Sequence, residues 1–255
     1  MEISLAQLLT PVMVIGLRVS GLMLFAPFFG SATIPPRIKV VLVIAITAVL
    51  SPVFSPRLQG LTLSHWPVLV ASETLVGVAM GIATNVVFEG AQMAGQVLSV
   101  QMGYSLVNIL DPNTQVDSTV VAFFHQSLAM LIFLGLDVHH WILRAVVHSF
   151  EYLPPGSATL NPMFVQAVLH EGAVVLDLGI QIAAPVLAAT LLADIVLGLM
   201  GKASPQMPLM LLGPAVKSML GVLVLGVTMR FWPHLFEGYF SASIAYTDRL
   251  LHLAR

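Results

Sequence analysis

The chain has 255 residues, 58% of them hydrophobic and 9% charged, with a formal net charge of −2. Soluble domains carry roughly 25% charged residues, so at a mean hydropathy of +0.95 most of the surface must meet lipid or other apolar protein. The charge balance leaves no footprint for nucleic acid, and the absence of cysteine excludes disulfides and thiolate–metal chemistry.

Met1-Glu2-Ile3-Ser4 has no basic n-region, so a cleaved signal peptide is not expected. A spanning helix needs about 20 predominantly apolar residues. Six apolar segments follow, at about 5–28, 38–54, 66–89, 119–147, 173–200 and 209–232. They predict an all-α, polytopic membrane-type chain of helical hairpins in one domain over 1–255. Pro35-Pro36 turns the first segment into the second, because the residue before a proline is pushed out of the helical region. Pro154-Pro155-Gly156 and Asn161-Pro162 punctuate the connection after the fourth. The last two segments flank Gly201 through Pro208, whose glycine and prolines stop a helix, so they read as an antiparallel hairpin. Cationic residues do not set an orientation. Arg37, Lys39 and Lys202 fall on one side, Arg57, Arg249 and Arg255 on the other, with Arg230 near the membrane edge.

The ionisable residues inside these segments are few. Arg18 and Glu73 sit in different early segments and are expected to pair, since a lone charge in hydrocarbon is costly. Gly77 and Gly81 form a Gly-x-x-x-Gly that lets helix backbones approach closely. Gly198 and Gly201 are given the same assembly role near the last turn. Asp137, His140, Arg144 and His148 fall at i, i+3, i+7 and i+11, on one helical face. They read as a self-compensated polar stripe, Asp137 offsetting Arg144, rather than a proton relay. Asp177 and Asp194 read as partner contacts or helix-end groups. His139-His140 with Asp137 does not predict a metal site, because adjacent histidines on a helix point about 100° apart. No metallopeptidase motif, phosphate loop or nucleophile elbow is present, so no cofactor, metal or enzymatic activity is expected.

Between the third and fourth segments, Gly90 to Phe124 is of another kind. It carries Gln92, Gln96, Gln101, Asn108, Asn113 and Gln115, mixed with small residues, Met93, Met102 and the break at Asp111-Pro112, and has no cationic residue. Uncharged amides beside glycines suit a stretch lining a cavity or lying among helices.

Gln101-Met102-Gly103-Tyr104-Ser105, then Asn108 and Asp111-Pro112-Asn113-Thr114, resembles the central signature of the FliR/SctT family of type III export gate subunits. The resemblance includes Phe25-Ala26-Pro27-Phe28-Phe29-Gly30, Ile34-Pro35-Pro36-Arg37, Leu153-Pro154-Pro155-Gly156, Ser204-Pro205-Gln206 and Glu237-Gly238, and covers essentially the whole chain in order. It implies a non-enzymatic subunit that assembles with FliP and FliQ into a helical export channel in the bacterial inner membrane, at the flagellar basal body. FlhB and FlhA lie nearby, and unfolded rod, hook and filament proteins are the cargo. It further implies a FliP-like part over about 1–172, a FliQ-like hairpin over about 173–232 and a tail over 233–255. The family's plug role maps onto Gln101, Met102, Gly103, Asn108, Asp111, Pro112, Asn113 and Thr114. Family members also look polytopic by hydropathy although much of their surface packs on neighbouring subunits. An injectisome gate subunit is the near alternative. A secondary transporter of a small solute is the rival from another class, supported by the Asp137–His148 stripe and the interrupted segments.

Overall fold

The computed structural model describes residues 5–27, 29–30, 34–58, 66–104, 119–158, 161–204, 206 and 209–254. Helices account for all the regular structure among them: α1 (Leu5–Phe25), α2 (Pro36–Phe54), α3 (Trp66–Gln101), α4 (Val120–Gly135), α5 (Val138–Tyr152), α6 (Pro162–Ala203), α7 (Leu209–Thr228) and α8 (Trp232–Leu253). All six apolar segments are thus helical, in a polytopic all-α membrane protein. Four helical runs, 36–54, 66–101, 162–203 and 212–253, are long and apolar enough to cross a membrane, and α4 with α5 adds a fifth if counted as one. The first segment is the shortfall, its described apolar helix running only from Leu9 to Phe25.

The helix boundaries follow local chemistry. Pro35 is extended (φ −55°, ψ 140°) and Pro36 opens α2, where a missing N–H costs nothing. Thr119 caps α4 by accepting from the Ala122 N–H at 3.2 Å. Asn161 does the same for α6, accepting from the Phe164 N–H at 2.7 Å, with Pro162 in the first helical position. Several boundaries differ from the sequence reading, among them the start of α6 at Pro162 rather than near residue 173. Helix α3 runs on to Gln101, because Gln92, Gln96 and Gln101 lower the apolarity without opposing helix. The residues read as a tail form the 22-residue α8. The fourth segment is broken at Leu136-Asp137, where Asp137 takes a left-handed conformation (φ 55°, ψ 29°). Aspartate is among the few side chains that tolerate this region.

The chain divides into two compact units. Unit one comprises 1–86, 137–172 and 240–255; unit two comprises 87–136 and 173–239. In unit one, α1 and α3 meet through glycines. A Cβ on Gly77 would drive into the Arg18 carbonyl oxygen and lie 2.8 Å from the Leu22 nitrogen, while one on Gly81 would lie 2.8 Å from the Leu22 oxygen. The start of α6 is tied to the end of α8 where the Asn161 side chain donates to the Leu253 carbonyl at 2.6 Å. Ser243 donates to the Ala83 carbonyl, and the Tyr246 hydroxyl to the Ala167 carbonyl at 2.8 Å. In unit two, a Cβ on Gly90 would lie 2.9 Å from Leu178 and one on Gly95 would strike the Ala122 backbone, so α3 is held close to both α6 and α4. Phe88 meets Phe133 edge-on at 5.4 Å. The fully buried His125 packs on Trp232 at 4.9 Å.

Burial is uneven. Half of the most apolar stretch of α3 lies inside the protein, against 11% for that of α2 and 22% for that of α6. Exposed residues such as Val41, Ile44, Val49, Leu192, Ile195, Leu199, Val222 and Leu223 leave α2, α6 and α7 with apolar faces that the described residues do not cover.

Candidate functional site: the root of the central stretch

Two groups of predicted residues come together, one in each unit. In unit two, the end of α3 docks on the α6–α7 hairpin. Two contacts establish the antiparallel register of that hairpin. Lys217 Nζ lies 3.0 Å from an Asp194 oxygen, and a Cβ on Gly213 would lie 3.9 Å from Leu197. Asp194 also accepts from Gln101 Nε2 at 3.2 Å. One carboxylate therefore joins α6, α7 and the start of the predicted plug stretch.

The next two residues add shape. Met102 is 1% exposed, and a Cβ on Gly221 would lie 2.6 Å from its terminal methyl and 2.8 Å from its sulfur. Only a glycine at 221 gives the unbranched methionine this berth. Gly103 has φ +87°, and a Cβ there would lie 3.0 Å from Pro214. This is one of the positions where glycine is needed for conformation as well as space. It ends the helix: Met102 and Gly103 still donate to Leu98 and Val100 carbonyls, and the Tyr104 N–H reaches back to Ser99 at 2.9 Å. That reach is the wrap of a left-handed helix terminus. Gln101, Met102 and Gly103 thus form a fixed root. Asn108, Asp111, Pro112, Asn113 and Thr114 lie outside the described residues.

In unit one, Arg18 and Glu73 are both fully buried and pair at 2.8 Å. Further partners engage both residues of the pair. Arg18 donates to Ser149 Oγ at 3.2 Å and to the Leu153 carbonyl at 3.1 Å. The other Glu73 oxygen accepts from the Gly156 N–H at 3.0 Å. The guanidinium lies 4.2 Å over the Phe150 ring. Gly156 has φ +79°, so the Pro154-Pro155-Gly156 turn needs its glycine to aim that N–H at the carboxylate. The pair is internal to the chain, beside the Gly77 crossing.

The polar stripe of α5 is an exposed face: Asp137, His140, Arg144 and His148 are all exposed, while Val138, Ile142, Ala145 and Val146 point inward. The pairing expected of Asp137 with Arg144 is replaced by approaches to His139 Nε2 (3.9 Å) and His140 Nδ1 (3.6 Å). The left-handed Asp137 stands before α5 rather than in it, which removes it from the helical register. Asp177 accepts from the Tyr239 hydroxyl at 2.7 Å and from Gln181 at 3.2 Å. A Cβ on Gly198 would meet nothing within 4 Å, so the close approach expected there is not made among the described residues.

Lys217, Pro214 and Gly221 complete the root, and none was singled out from sequence. Lys217 had a readable signal. It is the one charged residue from 204 to 229, as Asp194 is from 178 to 201, and the two stand 11 and 12 residues from Pro205 on opposite arms.

Residues 9–243 match the family model described as bacterial export proteins, family 1. The flagellar biosynthetic protein FliR of Escherichia coli (strain K12) is 28% identical over 230 residues, covering 88% of each chain. That of Bacillus subtilis (strain 168) is 26% identical over 255 residues, covering 98% of each. That of Aquifex aeolicus (strain VF5) is 27% identical over 212 residues, covering 82% of this chain and 81% of its own.

Proposed function

The chain belongs to the bacterial export proteins of family 1, and on that premise we propose that it is a non-enzymatic subunit of the flagellar type III export gate. With FliP and FliQ it forms the channel through which unfolded flagellar proteins leave the cell, in the inner membrane at the basal body, with FlhB and FlhA as neighbours. The observation that carries this reading is the near end-to-end similarity to proteins named for flagellar biosynthesis, 98% of both chains in one case. The uncovered apolar faces of α2, α6 and α7 support it, since contiguous apolar surface of this extent calls for lipid or a partner.

Within the gate, the stretch from Gln101 to Thr114 is the plug. Its root is anchored by Asp194, Gly221 and Pro214. Its uncharged amides and methionine offer many weak contacts that an incoming chain displaces one at a time. Gly198 and Gly201, near the turn of the hairpin, serve assembly with other subunits, which agrees with the open space around Gly198. Co-purification tests the reading. The tagged chain is expected to bring down FliP and FliQ from detergent-solubilised membranes and to be required for motility. A stable homo-oligomer that forms without them, in cells whose motility survives its deletion, would overturn it.

A further inference from the structure

We propose that Asp137, His139 and His140 form a binding site for one transition-metal dication of the Zn²⁺ class. One ligand atom from each residue lies within 4.8 Å of the other two. The same Asp137 oxygen is 3.9 Å from His139 Nε2 and 3.6 Å from His140 Nδ1. A tetrahedral cation held at about 2.0–2.1 Å from each ligand needs ligand separations of about 3.3–3.5 Å, so small side-chain rotations close the triangle. The two imidazole rings lie 4.1 Å apart, which brings neighbouring histidines to one side despite the helical angle between their Cα–Cβ bonds. The left-handed backbone of Asp137 (φ 55°) brings its carboxylate back over the first turn of α5.

The donor set selects the ion. Two imidazoles and one carboxylate suit Zn²⁺, Ni²⁺ or Cu²⁺, whereas Ca²⁺ and Mg²⁺ take oxygen ligands. The carboxylate also opposes the unfavourable positive end of the α5 dipole. The His140 and Asp137 side chains are 58% and 69% exposed, so the described residues leave the site open, with its remaining coordination position free for water. A bound ion fixes the conformation of Asp137 and the first turn of α5 within unit one.

The test uses the full-length protein, purified from the membrane in detergent with a histidine-free affinity tag. Co²⁺ titration is expected to give a saturable visible absorption at one ion per chain, discharged by one equivalent of Zn²⁺. Asp137→Gly keeps the left-handed backbone and removes the carboxylate; His140→Ala removes an exposed ring. Each should weaken binding at least ~10-fold, while His148→Ala, on the same exposed face, leaves it unchanged. Absence of a saturable Co²⁺ signal, or equal affinity in the wild type and both ligand variants, would overturn the site.

Discussion

Two ion pairs, one in each unit, join helices of similar apolar composition, yet their surroundings differ. Arg18 and Glu73 are fully buried, with a hydroxyl, a carbonyl, an amide and an aromatic face around them. Asp194 and Lys217 are 42% and 19% exposed, and the carboxylate also accepts from the Gln101 side-chain amide of α3. The first pair locks an inner framework of α1, α3 and α5. The second holds the root of a stretch that, on the proposed function, must be displaceable. Enclosure separates a permanent joint from an exchangeable one, because a buried charge stripped of its partner has no water to turn to.

Removing one half of the enclosed pair should have the largest effect. Glu73→Gln leaves the Arg18 guanidinium buried without its counter-charge and is expected to lower stability by about 3–5 kcal/mol, read as loss of folded chain in thermal fluorescence size-exclusion. Replacing both residues by apolar ones, Arg18→Met with Glu73→Leu, should lose less than Glu73→Gln alone. If the double variant were the worse, the pair would be contributing net stability and the comparison would need revision.

A smaller loss is expected at the crossing beside it. Gly77→Ala forces α1 and α3 apart at the Arg18 carbonyl, at about 1–3 kcal/mol, and the same assay should show an intermediate shift. Gly198→Ala, where the chain leaves open space, should leave the isolated chain's stability unchanged. Of the two charge substitutions, the smaller effect belongs to the exposed pair. Asp194→Asn should change stability by only about 0.2–1 kcal/mol, and more weakly at high salt. A drop as large as that of Glu73→Gln would show that this joint is enclosed in the assembled protein.

Much of this was legible from residues alone. The helices announced themselves by apolar length, and Arg18 and Glu73 could be paired because neither tolerates isolation in hydrocarbon. Their further partners could not: Ser149 and Leu153 lie 131 and 135 residues from Arg18, and no local pattern links them. The α6–α7 hairpin was readable from its prolines, and its Asp194–Lys217 tie was available in the mirrored spacing. The geometry around Asp137 was not legible for a physical reason. Helical periodicity was applied across a residue that stands outside the helix in a left-handed conformation, which no apolar pattern encodes. The run to Gln101 was missed because hydropathy falls with amides while helix propensity does not.

The stretch from Gln101 to Thr114 is proposed to close the channel, and conductance tests this directly. Deletion of residues 110–115 leaves the root at Gln101, Met102 and Gly103 intact, so the gate should still assemble. In cells overproducing the assembled complex, membrane conductance to ions and uptake of small solutes are predicted to rise, with a weaker leak for Met102→Ala. Normal assembly of the deletion variant with a membrane as tight as the wild type's would contradict the plug.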